Sequence, residues 1–300
     1  MKERYYKVAE HVFVLQADND SQITDEELSQ YTPFITEPVS DVIFRLRLLE
    51  SLPHIGEPTI EITQDDEGQQ IVAGHTDKHL PFFEFWLGGQ RSAIMVTKPD
   101  YKEAILVTEN YRQFGINNAL MVLYALATSH LQTALFHSSV VSHEGHAYMF
   151  LGKSGTGKST HSSLWLKHIE GTKLVNDDNP VVRVLPLHDG STSATQQPFE
   201  ARVYGSPWSG KTPCYRNVSY PIGAIVQLSQ APYNKIRRLS PLEAYAVLVP
   251  SISGKRWDRH LADGLHVTED QLASHVPVWH LECLPDEAAA QLCRENVEKE

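Results

Sequence analysis

One stretch limits the folds open to this chain more than any other: HAYMFLGKSGTGKSTHSSLWLKHI, residues 146–169. An apolar run of strand composition passes through Gly152, Gly155 and Gly157 and enters a segment of helical composition. A strand that runs straight into a glycine loop and out into a helix needs a fold built from both element types.

The loop satisfies G-x-x-x-x-G-K-[ST], with Gly152, Gly157, Lys158 and Ser159 at the fixed positions. Glycines let backbone N–H groups turn inward around an anion, and a helix that starts near Lys158 adds its positive end. Lys158 supplies a point charge for the β- and γ-phosphates, and the Ser159 hydroxyl suits Mg²⁺. Gly152, Ser154, Gly155, Thr156, Gly157, Lys158, Ser159 and Thr160 are therefore assigned to a nucleotide, with ATP and Mg²⁺ as the expected cofactors. A phosphoryl-transfer site also needs a second metal ligand or a base for the attacking hydroxyl. Asp177 and Asp178, at the end of the short apolar run KLV, are the candidates.

Composition narrows the partners. A net charge of −11 repels a phosphate backbone, so no nucleic acid is expected, although a local basic pocket for a small anion is allowed. No apolar run reaches the roughly 18 residues of a membrane span. The first segment, MKERYYKVAEHVFVL, is interrupted by Glu10 and His11 and does not read as a signal peptide. Cys214, Cys283 and Cys293 form no C-x-x-C pair, which suits a reducing cytoplasm.

Residues 1–112 read as a β-rich domain. Phe44, Leu46 and Leu48 alternate with Arg45 and Arg47, TIEITQDDEGQQIVAGH reads as a hairpin, and Gly88-Gly89 punctuates a meander. The acidic stretch 17–41 reads as a surface connection. From Asn117 the period becomes helical, with Leu120, Leu123, Tyr124 and Ala127 on one face, and the domain junction is placed just before that helix. A hairpin turning at Glu144-Gly145 leads into the glycine loop. Ser240, Pro241 and Glu243 spell a capping box, and Asp286 and Glu287 open a last helix.

FLGKSGTGKST, the strand before it that carries His137, and the following LVNDD together resemble the HPr kinase/phosphorylase family and the nucleotide core of phosphoenolpyruvate carboxykinases. The likeness covers about residues 131–300, and the tail is similar to HPr-kinase-related proteins. The resemblance implies a mixed sheet with helices packed on it, an α/β (α+β) P-loop kinase core over 113–300. It implies ATP on 152–159, Mg²⁺ on Ser159 and one carboxylate of the pair, the other carboxylate as base toward a serine-type hydroxyl, and His137 near the metal and phosphates. Asp178 is taken as the base and Asp177 as the metal ligand, with the reverse assignment left open. The chain departs from the family at Thr160, where HPr kinases carry a Glu, and in its N-terminal region.

Four further cations are candidates for the transferred phosphoryl group or the substrate: Lys211 and Arg216 in YGSPWSGKTPCYRN, and Arg256 and Arg259 in SGKRWDRH. His143 and His146 have metal-like spacing, as His161 and His168 lie along one helix; all four read as ordinary turn or surface histidines. The expectation is an ATP- and Mg²⁺-dependent kinase acting on a serine-type hydroxyl of a peptide, a protein or free serine. The alternatives are a nucleotide-binding switch and carboxykinase-like chemistry on a small acid. The acceptor and any homo-oligomeric assembly are left open.

Overall fold

The computed structural model describes residues 2–18, 24–66, 68–186 and 199–299. The chain forms two compact units, Met1–Thr128 and Ser129–Glu300, each a mixed sheet with helices. No helix among the described residues is long and apolar enough to cross a membrane.

The first unit is an eight-stranded sheet in the order β1-β2-β3-β8-β7-β6-β5-β4. Its strands are β1 (Lys2–Val8), β2 (His11–Ala17), β3 (Arg45–Leu48), β4 (Thr59–Asp66), β5 (Gln69–His75), β6 (Pro81–Leu87), β7 (Gln90–Thr97) and β8 (Glu103–Thr108). β3 runs parallel to both β2 and β8, and every other pair is antiparallel. Ala9-Glu10 joins β1 to β2 with both residues at positive φ, the two-residue turn whose twist matches the strands. Gly88-Gly89 does the same between β6 and β7.

Helix α1 (Arg112–Ala127) packs on β6, β7 and β8 of this sheet. Gly115 makes the approach close: a Cβ there would lie 2.8 Å from the Ala93 Cβ and 2.9 Å from the Ser92 carbonyl. Tyr124 donates its hydroxyl to the Val8 carbonyl at 3.0 Å. The helical period read from Asn117 belongs to α1, which begins at Arg112, and the boundary between units falls after this helix rather than before it. The described part of the acidic stretch also differs from a plain surface connection. It contains a 3-10 turn, Ser29–Phe34, whose Tyr31 and Phe34 are fully buried, with Tyr31 against Tyr6. Residues 19–23 of that stretch lie outside the described residues.

The second unit is a nine-stranded mixed sheet. Its main path is β12 (Lys173–Asn176), β10 (Ser139–His143), β11 (His146–Leu151), β15 (Ser219–Gln230), β14 (Phe199–Tyr204), β13 (Val181–Pro186) and β9 (Thr133–Leu135). β17 (Val278–Cys283) pairs with the end of β15 and carries β16 (Lys235–Arg238). Helices α2 (Lys158–His168) and α5 (Glu287–Val297) bury Trp165, Ile169, Cys293 and Val297 with Phe150, Val226 and Leu281 of the sheet. Helices α3 (Pro241–Leu248) and α4 (Arg259–His275) bury Leu248, Leu265 and Leu272 with Met149 and Ile225, which belong to the other sets of residues on the same strands.

Local sequence signals hold here. Glu144-Gly145 is a two-residue turn at positive φ, and Ser240 with Glu243 closes a capping box at α3. Helix α4 is not expected from the sequence reading. Asp258 caps it by accepting from the His260 and Leu261 amides.

Topology sets the site. β11 and β12 are each antiparallel to β10, so they run parallel to one another. The C-terminal ends of β11 and β12 and the N-terminal end of β10 therefore share one sheet edge. The glycine loop, Asp177-Asp178 and the residues before Ser139 leave those three ends.

Candidate active site

The loop between β11 and α2 folds as its glycines allow. Gly155 and Gly157 have φ of +75° and +105°, a region costly for any other residue. Gly157 is the N-cap of α2 and no side chain caps that end. No side chain accepts from the first turn of α2, the end of a helix that favours negative charge, and Ser159 and Thr160 are exposed in that turn. Gln230, at the end of β15, donates to the Gly155 carbonyl at 3.2 Å and ties the loop to the sheet edge.

Lys158 is buried to 8% exposure. Its Nζ donates to the Gly152 carbonyl at 3.0 Å and lies 2.9 Å from His137 Nε2. An ammonium has only donors, so His137 Nε2 accepts and Nδ1 carries the ring proton. That Nδ1 is 3.0 Å from Asp178 Oδ1. His137 lies in the short link between β9 and β10 rather than on a strand, and it joins the loop lysine to Asp178 in one hydrogen-bonded chain. The backbone fixes its middle member: the His137 amide donates to the Ser251 carbonyl at 2.7 Å, and the Ser138 amide to the Asp178 carbonyl at 2.8 Å.

The two carboxylates differ. Asp178 keeps a side chain 30% exposed, with Asn179 Nδ2 on its second oxygen at 2.8 Å. Asp177 is buried at 8% exposure, and hydroxyls hold both its oxygens: Ser139 on Oδ1 at 2.6 Å and Thr212 on Oδ2 at 2.5 Å. Ser139 is in turn 2.6 Å from the Ser162 hydroxyl of α2. The segment 205–216 is drawn onto this turn. Ser206 donates to the Asn179 carbonyl at 2.6 Å, Asn176 Nδ2 donates to the Ser206 hydroxyl at 3.1 Å, and Trp208 is buried. Gly210 lies against Asp178, where a Cβ would meet the aspartate Cβ at 2.8 Å.

Other expected phosphoryl contacts go elsewhere. Arg216 Nη1 donates to the Leu174 carbonyl at 2.7 Å, on the flank of β12. Arg256 pairs with Glu269 Oε1 at 2.5 Å and donates to the Val249 carbonyl, so it anchors the segment before α4. Arg259 is 94% exposed and faces Asp263 at 3.8 Å within α4. Arg216 and Arg256 so engaged serve the fold, Arg259 is a solvated surface cation, and none of the three has a described contact with the acidic pair. Lys211 is exposed beside Thr212.

Two histidines read as surface groups are interior. His161 sits under α2 with Phe150 and accepts from Trp165 Nε1 at 3.2 Å; burial pushes it down to about 4. His143 is buried, with Nδ1 2.5 Å from Glu298 Oε1 and Nε2 3.1 Å from the Glu170 carbonyl. Glu144 and Glu298 bring carboxylates within 4.8 Å of it, but both ring nitrogens already face protein acceptors.

Sequence reasoning missed Ser139, Ser162, Asn176, Ser209 and Thr212. Ser139, Ser162 and Asn176 come from separate segments. Ser209, which accepts from the Asp177 amide at 3.2 Å, and Thr212 come from the stretch that the sequence singles out only for Lys211 and Arg216. No family model and no curated protein sequence matches the chain.

Proposed function

We propose that the second unit is an ATP- and Mg²⁺-dependent phosphotransferase, with a nucleotide core of the HPr kinase and phosphoenolpyruvate carboxykinase kind, acting on a serine-type hydroxyl. The observation that carries this reading is the hydrogen-bonded chain from Lys158 through His137 to Asp178, which joins an anion loop to a carboxylate pair on one sheet edge.

The donor set suits both groups. The α2 amides and Lys158 would hold the phosphates, and the Ser159 hydroxyl is a hard ligand of the type magnesium takes, whereas both oxygens of Asp177 are held by Ser139 and Thr212. Bound magnesium would neutralise charge on the phosphate oxygens. The chain's own part is placement and proton handling. Lys158 brings positive charge to the loop, His137 fixes the direction of the Asp178 carboxylate, and Asp178 receives the proton of the acceptor hydroxyl at Oδ1 or Oδ2. Buried Asp177 orders the surrounding hydroxyls. Such a site works by positioning and electrostatics.

The test is incubation of the full-length chain with magnesium, ATP labelled at the terminal phosphate, and a cell extract from which acceptors are identified. Label on a defined serine-type hydroxyl is the expected result. Nucleotide binding with slow hydrolysis and no labelled acceptor would turn the reading into a switch. Label transfer to or from a small carboxylic acid would turn it into carboxykinase-like chemistry.

A further inference from the structure

We infer that Thr212 is itself a phosphoryl acceptor, so that the chain phosphorylates its own 205–216 segment. This rests on the phosphotransferase reading above. An activated hydroxyl nucleophile needs a base within hydrogen-bond reach and a third group to aim the base. Thr212 Oγ1 donates to Asp177 Oδ2 at 2.5 Å, and the other carboxylate oxygen is held by Ser139 at 2.6 Å.

The neighbouring hydroxyls are poor competitors. Ser139 and Ser206 are fully buried, and Ser209 is 1% exposed with its hydroxyl donating to the Thr212 carbonyl. Thr212 is exposed. Its place relative to the glycine loop follows from α2. Ser139 bridges Asp177 to Ser162, and Ser162 lies three residues after Ser159, on the same helix face. The threonine hydroxyl is thus tied through Asp177 to the flank of the helix whose first turn carries Ser159.

The step balances with a nucleoside triphosphate as co-reactant. Thr212 Oγ1 forms a bond to the terminal phosphorus, and the bond from that phosphorus to the bridging oxygen breaks. The nucleoside diphosphate leaves with the electron pair, and the hydroxyl proton passes to Asp177 Oδ2. A phosphate on Thr212 then stands beside the Asp177 carboxylate, and like charge loosens the grip of the acidic turn on the segment. Self-modification would in this way release the 205–216 segment from the acidic turn.

The experiment takes the full-length chain with ATP and Mg²⁺ and locates phosphate by peptide mass mapping. A fluorescent ATP analogue measures binding in parallel. Expected are one phosphate on Thr212 at a rate per molecule independent of protein concentration over a tenfold range, none on that peptide in Thr212→Val, and phosphoserine in Thr212→Ser. In nucleotide-free protein, amide exchange across 205–216 should be faster in the phosphorylated form, and unchanged exchange overturns the opening step. Analogue binding with an unmodified Thr212, including the case of label on an external acceptor only, overturns the inference and leaves the parent reading in place. Absence of analogue binding overturns both.

Discussion

His137 holds Lys158 on one ring nitrogen at 2.9 Å and Asp178 on the other at 3.0 Å. The ring is therefore a spacer with fixed polarity, an acceptor toward the loop and a donor toward the acid. Replacing it with Ala removes both contacts, yet leaves Lys158 on the Gly152 carbonyl. Turnover of His137→Ala should fall about 100-fold, the low end for a proton-handling group, while nucleotide affinity changes by less than about tenfold. Steady-state kinetics with a separate binding isotherm check this. A loss confined to affinity would make His137 part of the phosphate site alone.

The ends of the same chain should separate. Lys158→Ala deletes the charge of the loop, and nucleotide binding should be lost at any practical concentration. Asp178→Asn keeps the shape but cannot take a proton, so binding should survive while turnover falls by about 100-fold or more. Full activity in Asp178→Asn would move the base to another group, with Asp177 the first candidate.

Much of this site is legible in the sequence because its loop is local. A strand, three glycines, a lysine, a serine and a helix start are consecutive, and the capping box at Ser240 and the turn at Glu144-Gly145 are equally short-range. Asp177-Asp178 stands out as a pair, whereas His137 is singled out only by family resemblance. The hydroxyls of Ser139 and Thr212 on Asp177, with Ser162 behind Ser139, are not legible: each is an ordinary polar residue, brought together by β10 beside β12, by α2 and by the 205–216 segment. Arg256 misleads for the converse reason. Its partner Glu269 lies further along, inside α4, so the chain alone shows a spare cation. The helix α1 boundary fails because periodicity reports the element and says nothing about which sheet covers it.

Gly210 should be intolerant of a side chain. Its φ of +57° is left-handed, and an added Cβ would press on the Asp178 Cβ at 2.8 Å. Gly210→Ala should cost about 1–2 kcal/mol from backbone strain, with a fall in turnover beyond what unfolding accounts for. Urea titration gives the first quantity, and kinetics at a urea-free, fully folded temperature gives the second. Unchanged turnover would mean that the segment yields without moving the carboxylate.

Arg256 should behave as a structural residue. Its partner Glu269 is fully buried, and removing the guanidinium leaves Oε1 of that carboxylate without its cation, with His266 Nδ1 on Oε2 at 3.0 Å. Arg256→Met should destabilise the second unit by about 3–5 kcal/mol, with turnover per folded molecule retained. A reduced rate in a variant of normal stability would return Arg256 to the phosphoryl site.

His161 sets an acid limit on the fold. Burial holds it down to about 4 in the folded chain, against about 6.5 when exposed. Between those values the unfolded chain binds the extra proton, so stability is complete above about pH 6.5 and declines as pH falls toward 4. The full difference, about 2.5 pH units at 1.36 kcal/mol each, corresponds to about 3 kcal/mol. His161→Gln keeps an acceptor for Trp165 Nε1 but cannot gain a charge. Denaturant midpoints of wild type and variant should therefore diverge between pH 7 and pH 4.5, with the wild type losing more. Parallel curves over that range would show that the imidazole reaches water when folded, contrary to its 2% exposure.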